Sequence, residues 1–127
     1  MKNVVVVVDD SDMIVRVMTK ALEDEYEVIS AKDGREALDA VSRNRERIVC
    51  MLLDLNMPVY DGFTVLNYFK TYRMFKKIPV FIISGDDTKE TIDKAFTYDI
   101  VDMLNKPFSM DNIKSAVERA INLSNEK

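Results

Sequence analysis

Five polar side chains in this sequence have types that together could hold a metal ion and stabilise a transferring phosphoryl group. Carboxylates are oxygen ligands for a hard divalent cation, while an ammonium and a hydroxyl can bind phosphoryl oxygens. Each of the five comes at the end of a strand-like apolar run, and the carboxyl ends of parallel strands meet at one edge of a sheet. They are Asp9, Asp10, Asp54, Ser84 and Lys106.

The three carboxylates predict a magnesium site. Acidic groups at one sheet edge repel each other, and a divalent cation relieves that repulsion. Mg²⁺ retains several waters, so Asp9, Asp10 and Asp54 could supply one or two direct ligands and one that acts through water. A backbone carbonyl from the loop after Asp54 is a natural further ligand.

Asp54 is the predicted nucleophile. It ends the apolar run that begins at Ile48, and a charge at the tip of a buried strand is costly unless something compensates it. Its predicted strand lies between the acidic pair and the strands that end at Ser84 and Lys106. The carboxylate that the metal leaves partly free can attack phosphorus.

Taken singly, these residues also have purely structural explanations. The acidic pair could simply begin a helix, where the dipole favours negative charge. Asp54 could be a cap or turn residue, and Lys106 a surface lysine before a turn. Their occurrence at four separate strand ends favours the joint, functional interpretation.

The elements that must position them alternate along the whole chain. Five apolar runs alternating with five amphipathic segments predict a parallel sheet with helices on both faces. The fourth helix is predicted over Thr88 to Tyr98, with Ile92, Ala95 and Phe96 facing inward. The predicted strands span residues 3–8, 26–31, 48–54, 80–84 and 100–104, and the other helices begin near Ser11, Asp33, Phe63 and Ser109.

Composition narrows the class of protein. The chain has 127 residues, 47% of them hydrophobic and 31% charged, which is typical of one soluble domain. It has no membrane-length apolar run and no signal peptide, and its one cysteine, Cys50, lies in a strand, so we expect a cytoplasmic protein. A net charge of −4 disfavours nucleic acid as a partner, and the absence of histidine excludes a histidine phosphoryl carrier within the chain.

At these residues the sequence resembles the receiver domain of two-component response regulators, over essentially its whole length. The resemblance implies that residues 1–127 form one receiver domain with a flavodoxin-like, doubly wound five-stranded parallel sheet, strand order 2-1-3-4-5, and five helices on two faces. The matching segments are Val7-Val8-Asp9-Asp10, Leu53-Asp54, Met57-Pro58-Val59-Tyr60-Asp61-Gly62, Ile83-Ser84-Gly85 and Lys106-Pro107-Phe108.

The resemblance also implies a role for each site residue. Asp54 accepts a phosphoryl group from the phosphohistidine of a histidine kinase or phosphotransfer protein, and Lys106 pairs with a phosphoryl oxygen. Asp10 and Asp54 bind Mg²⁺ directly with the backbone carbonyl of Asn56, and Asp9 does so through water. The chain would thus be a regulatory domain that assists its own phosphorylation and dephosphorylation, rather than an enzyme.

Signalling in the family implies further expectations. Ser84 moves to the phosphoryl group and changes the surface of the fourth helix, fifth strand and fifth helix, which binds a downstream protein. Asn56 and Asp86 tune hydrolysis, which we expect not to be especially slow. The protein is expected to be a monomer or a phosphorylation-induced dimer.

Three positions depart from the family pattern. Met103 stands where most members have the Tyr or Phe of a switch coupled to Ser84, so the activation relay is expected to differ. Asp99-Ile100 replaces a common Gly-Ala before the fifth strand, which predicts a different turn. Asp12 adds negative charge near the site.

The sequence leaves open two alternative functions and the possibility that the chain is part of a longer protein. Asp10-Ser11-Asp12 has the Asp-x-Asp form of haloacid-dehalogenase-like phosphatases, whose nucleophile would be Asp10. Alternatively, Met103 could uncouple the switch and leave a docking module. The chain could also be the receiver piece of a longer regulator.

Overall fold

The computed structural model describes residues 2–57, 59–72 and 77–125, and for residues 124 and 125 it describes the backbone alone. The predicted turn residue Pro58 lies outside these ranges. Strands and helices alternate, and the strands form one parallel sheet in the predicted order β2-β1-β3-β4-β5. The elements are β1 (Val4–Val8), α1 (Asp12–Leu22), β2 (Glu27–Ala31), α2 (Gly34–Asn44), β3 (Ile48–Asp54), α3 (Gly62–Thr71), β4 (Val80–Ser84), α4 (Lys89–Ala95), β5 (Asp102–Asn105) and α5 (Met110–Asn125).

The central strands are apolar because helices cover both faces of the sheet. All five valines of β1 are fully buried, with alternate side chains on opposite faces. One face packs against α2 and α3 through residues such as Val41 and Phe69, and the other packs against α1 and α5 through residues such as Met18 and Val117. Lys94 of α4 lies 4.1 Å from the ring centre of Phe63 on α3, which places α4 on the α2–α3 face.

Each helix begins at a side-chain cap that the sequence encodes. In each case the cap oxygen accepts a hydrogen bond from the backbone N–H three residues later, which satisfies a donor that has no partner within the helix. The helices predicted to begin near Ser11, Asp33 and Ser109 are α1, α2 and α5, which these residues cap, and Asp61 and Thr88 cap α3 and α4 in the same way.

The α4–β5 region differs from its sequence prediction. α4 ends at Ala95 rather than Tyr98, and Phe96, predicted to face inward, is the C-cap residue and 50% exposed. Because the helix stops there, the helical spacing that put Phe96 on the inner face no longer applies. Sheet pairing of β5 begins at Asp102, opposite Phe81, rather than at Ile100.

Cys50 lies in β3, as predicted, where it is fully buried, and this burial raises the pKa of its thiol to about 12. Among the residues described, we find no helix with the length and apolar character needed to cross a membrane.

Candidate functional site

The topology brings the predicted site residues to the carboxyl edge of the sheet. Asp9 directly follows β1, Asp54 ends β3, Ser84 ends β4, and Lys106 directly follows β5. Because β3 lies between β1 and β4, Asp54 stands between the acidic pair and the other two side chains. β2, which ends without a comparable group, is the edge strand next to β1, as expected.

Three carboxylates form one cluster at this edge. One oxygen each from Asp9, Asp10 and Asp54 lies within 4.8 Å of the others. Asp9 and Asp54 are buried and Asp10 is exposed, so the cluster opens to solvent on the side of Asp10. The backbone N–H of Ser11 donates to Asp9 Oδ1 at 2.9 Å, and that of Asn56 donates to Asp54 Oδ1 at 3.4 Å. These backbone contacts hold the two buried carboxylates in place.

Lys106 reaches across the cluster but pairs first with Asp9. Its Nζ lies 2.8 Å from Asp9 Oδ2 and 3.6 Å from Asp54 Oδ1. Its backbone N–H donates to the carbonyl of Ser84 at 2.9 Å, which fixes the start of this segment against the end of β4. The peptide bond between Lys106 and Pro107 is cis.

Burial and the neighbouring charges shift the pKa values of two groups in the site. Burial, followed by the negative charge of Asp9, raises the pKa of Asp54 from 3.8 to about 6, even though Lys106 and the Asn56 N–H act in the opposite direction. Burial alone would lower the pKa of Lys106, but the carboxylates of Asp9 and Asp54 outweigh it, so that pKa is raised. The lysine therefore stays protonated beside an excess of negative charge.

The donor set fits a hard divalent cation. All three clustered side chains offer carboxylate oxygens, two of them are buried, and a single ammonium balances only part of their charge. Oxygen-only ligands with one side open to water are the surroundings that Mg²⁺ accepts in proteins. The cluster could therefore hold such an ion, with Asn56 next to it in the chain.

Ser84 is buried, and its hydroxyl is engaged with the loop that follows rather than with Asp54. It donates to the backbone carbonyl of Asp86 at 3.2 Å and accepts from the Asp86 N–H at 3.0 Å. The Asp86 carboxylate in turn accepts from the Thr88 N–H at 2.9 Å and from the Thr91 hydroxyl at 2.8 Å. These bonds lower the pKa of Asp86 and link Ser84 to the first turn of α4.

Sequence reasoning missed this link. An Asp two residues before a Thr cap is a turn signal that could have revealed it, since Asp side chains commonly bond the N–H two residues on. It also missed a pair at the rim, where Lys32 Nζ lies 3.4 Å from Asp12 Oδ1, both well exposed. Part of the extra negative charge expected from Asp12 is therefore balanced locally.

Met103 occupies the predicted switch position on β5, opposite Ile82 of β4. Its side chain is half-buried and packs against the cluster of apolar residues shared with α2 and α3. In the turn before β5, the N–H of Ile100 donates to the carbonyl of Tyr98 at 2.9 Å. At position 103, the thioether of methionine, which has no hydroxyl, stands where the family pattern has an aromatic side chain.

Comparison with protein families gives one match over most of the chain. A family model described as the response regulator receiver domain matches residues 5–118. Among solved structures, a receiver domain protein from Clostridium thermocellum is 25% identical, with 98% of each chain covered and a TM-score of 0.87. The chemotaxis response regulator CheY4 of Vibrio cholerae is 28% identical, with 94% of this chain and 99% of that chain covered and a TM-score of 0.85.

Curated relatives are longer proteins. A probable cyclic di-GMP phosphodiesterase of Vibrio cholerae is 31% identical over 113 residues, which are 89% of this chain and 25% of that protein. The transcriptional regulatory protein SrrA of Staphylococcus aureus is 31% identical over 110 residues, which are 86% of this chain and 44% of that protein. The chain thus spans less than half the length of either relative. The comparisons give no support to the phosphatase alternative.

Proposed function

The chain belongs to the response regulator receiver domain family, and we propose on that basis that Asp54 is the phosphoacceptor of a signalling switch. The observation that carries the proposal is the position of Asp54. It is a buried carboxylate at the end of the central strand, in one cluster with two other acids and within 3.6 Å of an ammonium. The chain has no histidine, so the phosphoryl donor lies outside these 127 residues, and we propose the phosphohistidine of a histidine kinase or a phosphotransfer protein.

The proposed transfer exchanges one bond to phosphorus for another. A carboxylate oxygen of Asp54 attacks the phosphorus of the partner's phosphohistidine, the P–N bond breaks, and its electron pair leaves with the imidazole, which takes up a proton. Asp10, Asp54 and the Asn56 carbonyl would hold Mg²⁺ directly and Asp9 through water, and the bound ion would supply positive charge for the phosphoryl oxygens. The Lys106 ammonium already lies near Asp54 and can bind a phosphoryl oxygen there.

Ser84 is proposed to carry the signal. To donate to a phosphoryl oxygen, its hydroxyl must give up the hydrogen bond to the Asp86 carbonyl, and a movement towards Asp54 would also weaken the bond that it accepts from the Asp86 N–H. Because the Asp86 carboxylate is bonded to Thr88 and Thr91, that change reaches the first turn of α4 without using Met103. These contacts connect Ser84 to α4, so they favour a protein in which phosphorylation changes the surface over a docking module in which it does not.

Other parts of the proposal rest on family membership. A downstream protein binds the α4–β5–α5 surface, and phosphorylation leaves a monomer or forms a dimer. Both carboxylate oxygens of Asp86 are engaged, so the proposed tuning of hydrolysis rests mainly on the exposed Asn56. The cytoplasmic location and the regulatory, non-enzymatic role stay predictions for the whole protein.

The test is the mass of the intact protein after incubation with a small phosphodonor and Mg²⁺. We expect a gain of one phosphoryl group that EDTA prevents, that Asp54→Asn abolishes, and that the exposed rim variant Asp12→Asn retains. No gain by the unaltered protein would refute the proposal. Labelling that survives in Asp54→Asn and disappears in Asp10→Asn would instead favour the phosphatase alternative.

A further inference from the structure

The loop between β3 and α3 closes on itself at its base. The N–H of Gly62 donates to the carbonyl of Leu55 at 2.9 Å. A Cβ atom at Gly62 would lie 2.6 Å from the Asp54 carbonyl oxygen and 2.7 Å from Leu55 Cα, distances that carbon cannot adopt. The loop that contains Asn56 therefore begins and ends at one point, directly beside Asp54.

The far side of this loop rests on a glycine from another element. Gly34, the first residue of α2, is buried and donates its N–H to the carbonyl of Tyr60 at 2.9 Å. An N–H in the first turn of a helix has no partner within the helix, so it is free to bind the loop. A Cβ atom at Gly34 would lie 2.3 Å from the Tyr60 carbonyl oxygen and 2.6 Å from Tyr60 Cβ.

Backbone strain lies next to this contact. Val59 has φ 66°, in the left-handed region that β-branched residues rarely adopt. Such a conformation persists only where the surroundings impose it. The bond between Gly34 and Tyr60 is at the adjacent residue and supplies part of that constraint.

We propose that Gly34 is a positioning residue for the metal and phosphoacceptor site. It holds Tyr60, the closed loop connects Tyr60 to Asn56, and the Asn56 N–H lies 3.4 Å from Asp54 Oδ1. The inference rests on the proposed function, because it assigns to α2 a part in holding the loop that supplies the Asn56 carbonyl. Gly34 itself touches neither metal nor phosphoryl group.

The affinity for Mg²⁺ tests the proposal. Gly34→Ala should weaken Mg²⁺ binding about tenfold, as loss of supporting contacts does at other metal sites. The matched control is Val41→Ala, which opens a cavity under the same helix about two turns after Gly34 and should leave the dissociation constant unchanged. Both are measured by calorimetric titration with MgCl₂, with urea denaturation reporting how much stability each variant loses.

Equal Mg²⁺ affinities in Gly34→Ala and Val41→Ala would overturn the proposal. If the wild-type chain binds no Mg²⁺, the proposed metal site fails and this inference fails with it. Binding by the wild type with no loss in Gly34→Ala overturns this inference alone.

Amide hydrogen exchange of the wild-type protein gives a second readout that does not require any variant to fold. Because coupling is reciprocal, a contact that favours metal binding must itself be strengthened by the metal. Saturating Mg²⁺ should therefore slow exchange of the Gly34 N–H while the Val41 N–H in the same helix is unaffected. An unchanged Gly34 exchange rate on Mg²⁺ binding would also overturn the proposal.

Discussion

The acidic site and the α4–β5 side of the sheet are buried to very different extents. Every residue of β1 and all but one residue of β3 are buried, whereas β5 has no buried residue and α4 has only Ala95. Segments with few buried apolar contacts open and rearrange at low free-energy cost. The buried carboxylates Asp9 and Asp54 thus stand at the ends of well-packed strands, whereas Lys106 and the surface proposed to respond belong to the loosely packed side.

The largest difference should appear in the stability of two truncated side chains. Leu52→Ala removes a fully buried side chain of β3 and should lower the free energy of unfolding by about 3 kcal/mol. Phe96→Ala removes more carbon atoms from a half-exposed position after α4 and should lower it by less than about 1 kcal/mol. Urea denaturation measures both, and similar losses would remove the basis of the comparison.

The second prediction concerns the charge that the well-packed strands must tolerate. Burial raises the pKa of Asp54 from 3.8 in the unfolded chain to about 6 in the folded one, so folding favours its protonated form. That contribution to stability is present below the unfolded pKa and is lost as pH rises through the folded pKa. At neutral pH the ionised carboxylate therefore destabilises the metal-free protein.

Asp54→Asn should accordingly stabilise the metal-free protein. At pH 8 we expect the free energy of unfolding of the variant to exceed that of the wild type by about 1–2 kcal/mol, since solvent at the site mouth reduces the effect of the charge. This difference should disappear towards pH 4. Denaturation in EDTA across this range measures it, and Asp12→Asn at the exposed rim serves as the control. A gain that stayed constant with pH would show that the stabilisation does not come from the charge of Asp54.

The smallest effect is local and lies on the loosely packed side. Asp86→Ala removes the carboxylate that accepts from Thr88 and Thr91, so the amides of α4 should exchange about fivefold faster while those of β3 are unchanged. Thr91→Val should show a smaller change in the same direction. The exposed neighbour Asp87 gives the control variant Asp87→Ala, and equal exchange rates in it and Asp86→Ala would contradict the proposed link.

The difference in burial also explains what the sequence could predict. The bounds of β1, β3 and β4 were predicted to within one residue, because continuous apolar runs identify strands whose two faces are both covered. The same prediction located the site residues that stand at the ends of these strands. α4 and β5 were misplaced at their shared boundary. There Phe96 is half-exposed and Ile100 packs against the core from outside the paired strand, so an apolar side chain does not mark where the helix ends or the strand begins.

Side-chain partners could not be obtained from sequence in the same way. The order of strands predicts that Lys106 lies near the acids, but only coordinates show its ammonium closer to Asp9 than to Asp54. The contact between Gly34 and Tyr60 joins residues whose types give no sign of each other. Such contacts depend on how a loop folds back, which periodicity does not describe.

The burial of Cys50 makes the protein convenient to label. Thiol reagents attack the thiolate, and a fully buried thiol with a pKa of about 12 offers almost none at neutral pH. Since it is the only cysteine in the chain, a second one introduced by Phe96→Cys would take up a fluorescent or spin probe alone. Motion at the end of α4 could then be followed with the native cysteine left in place.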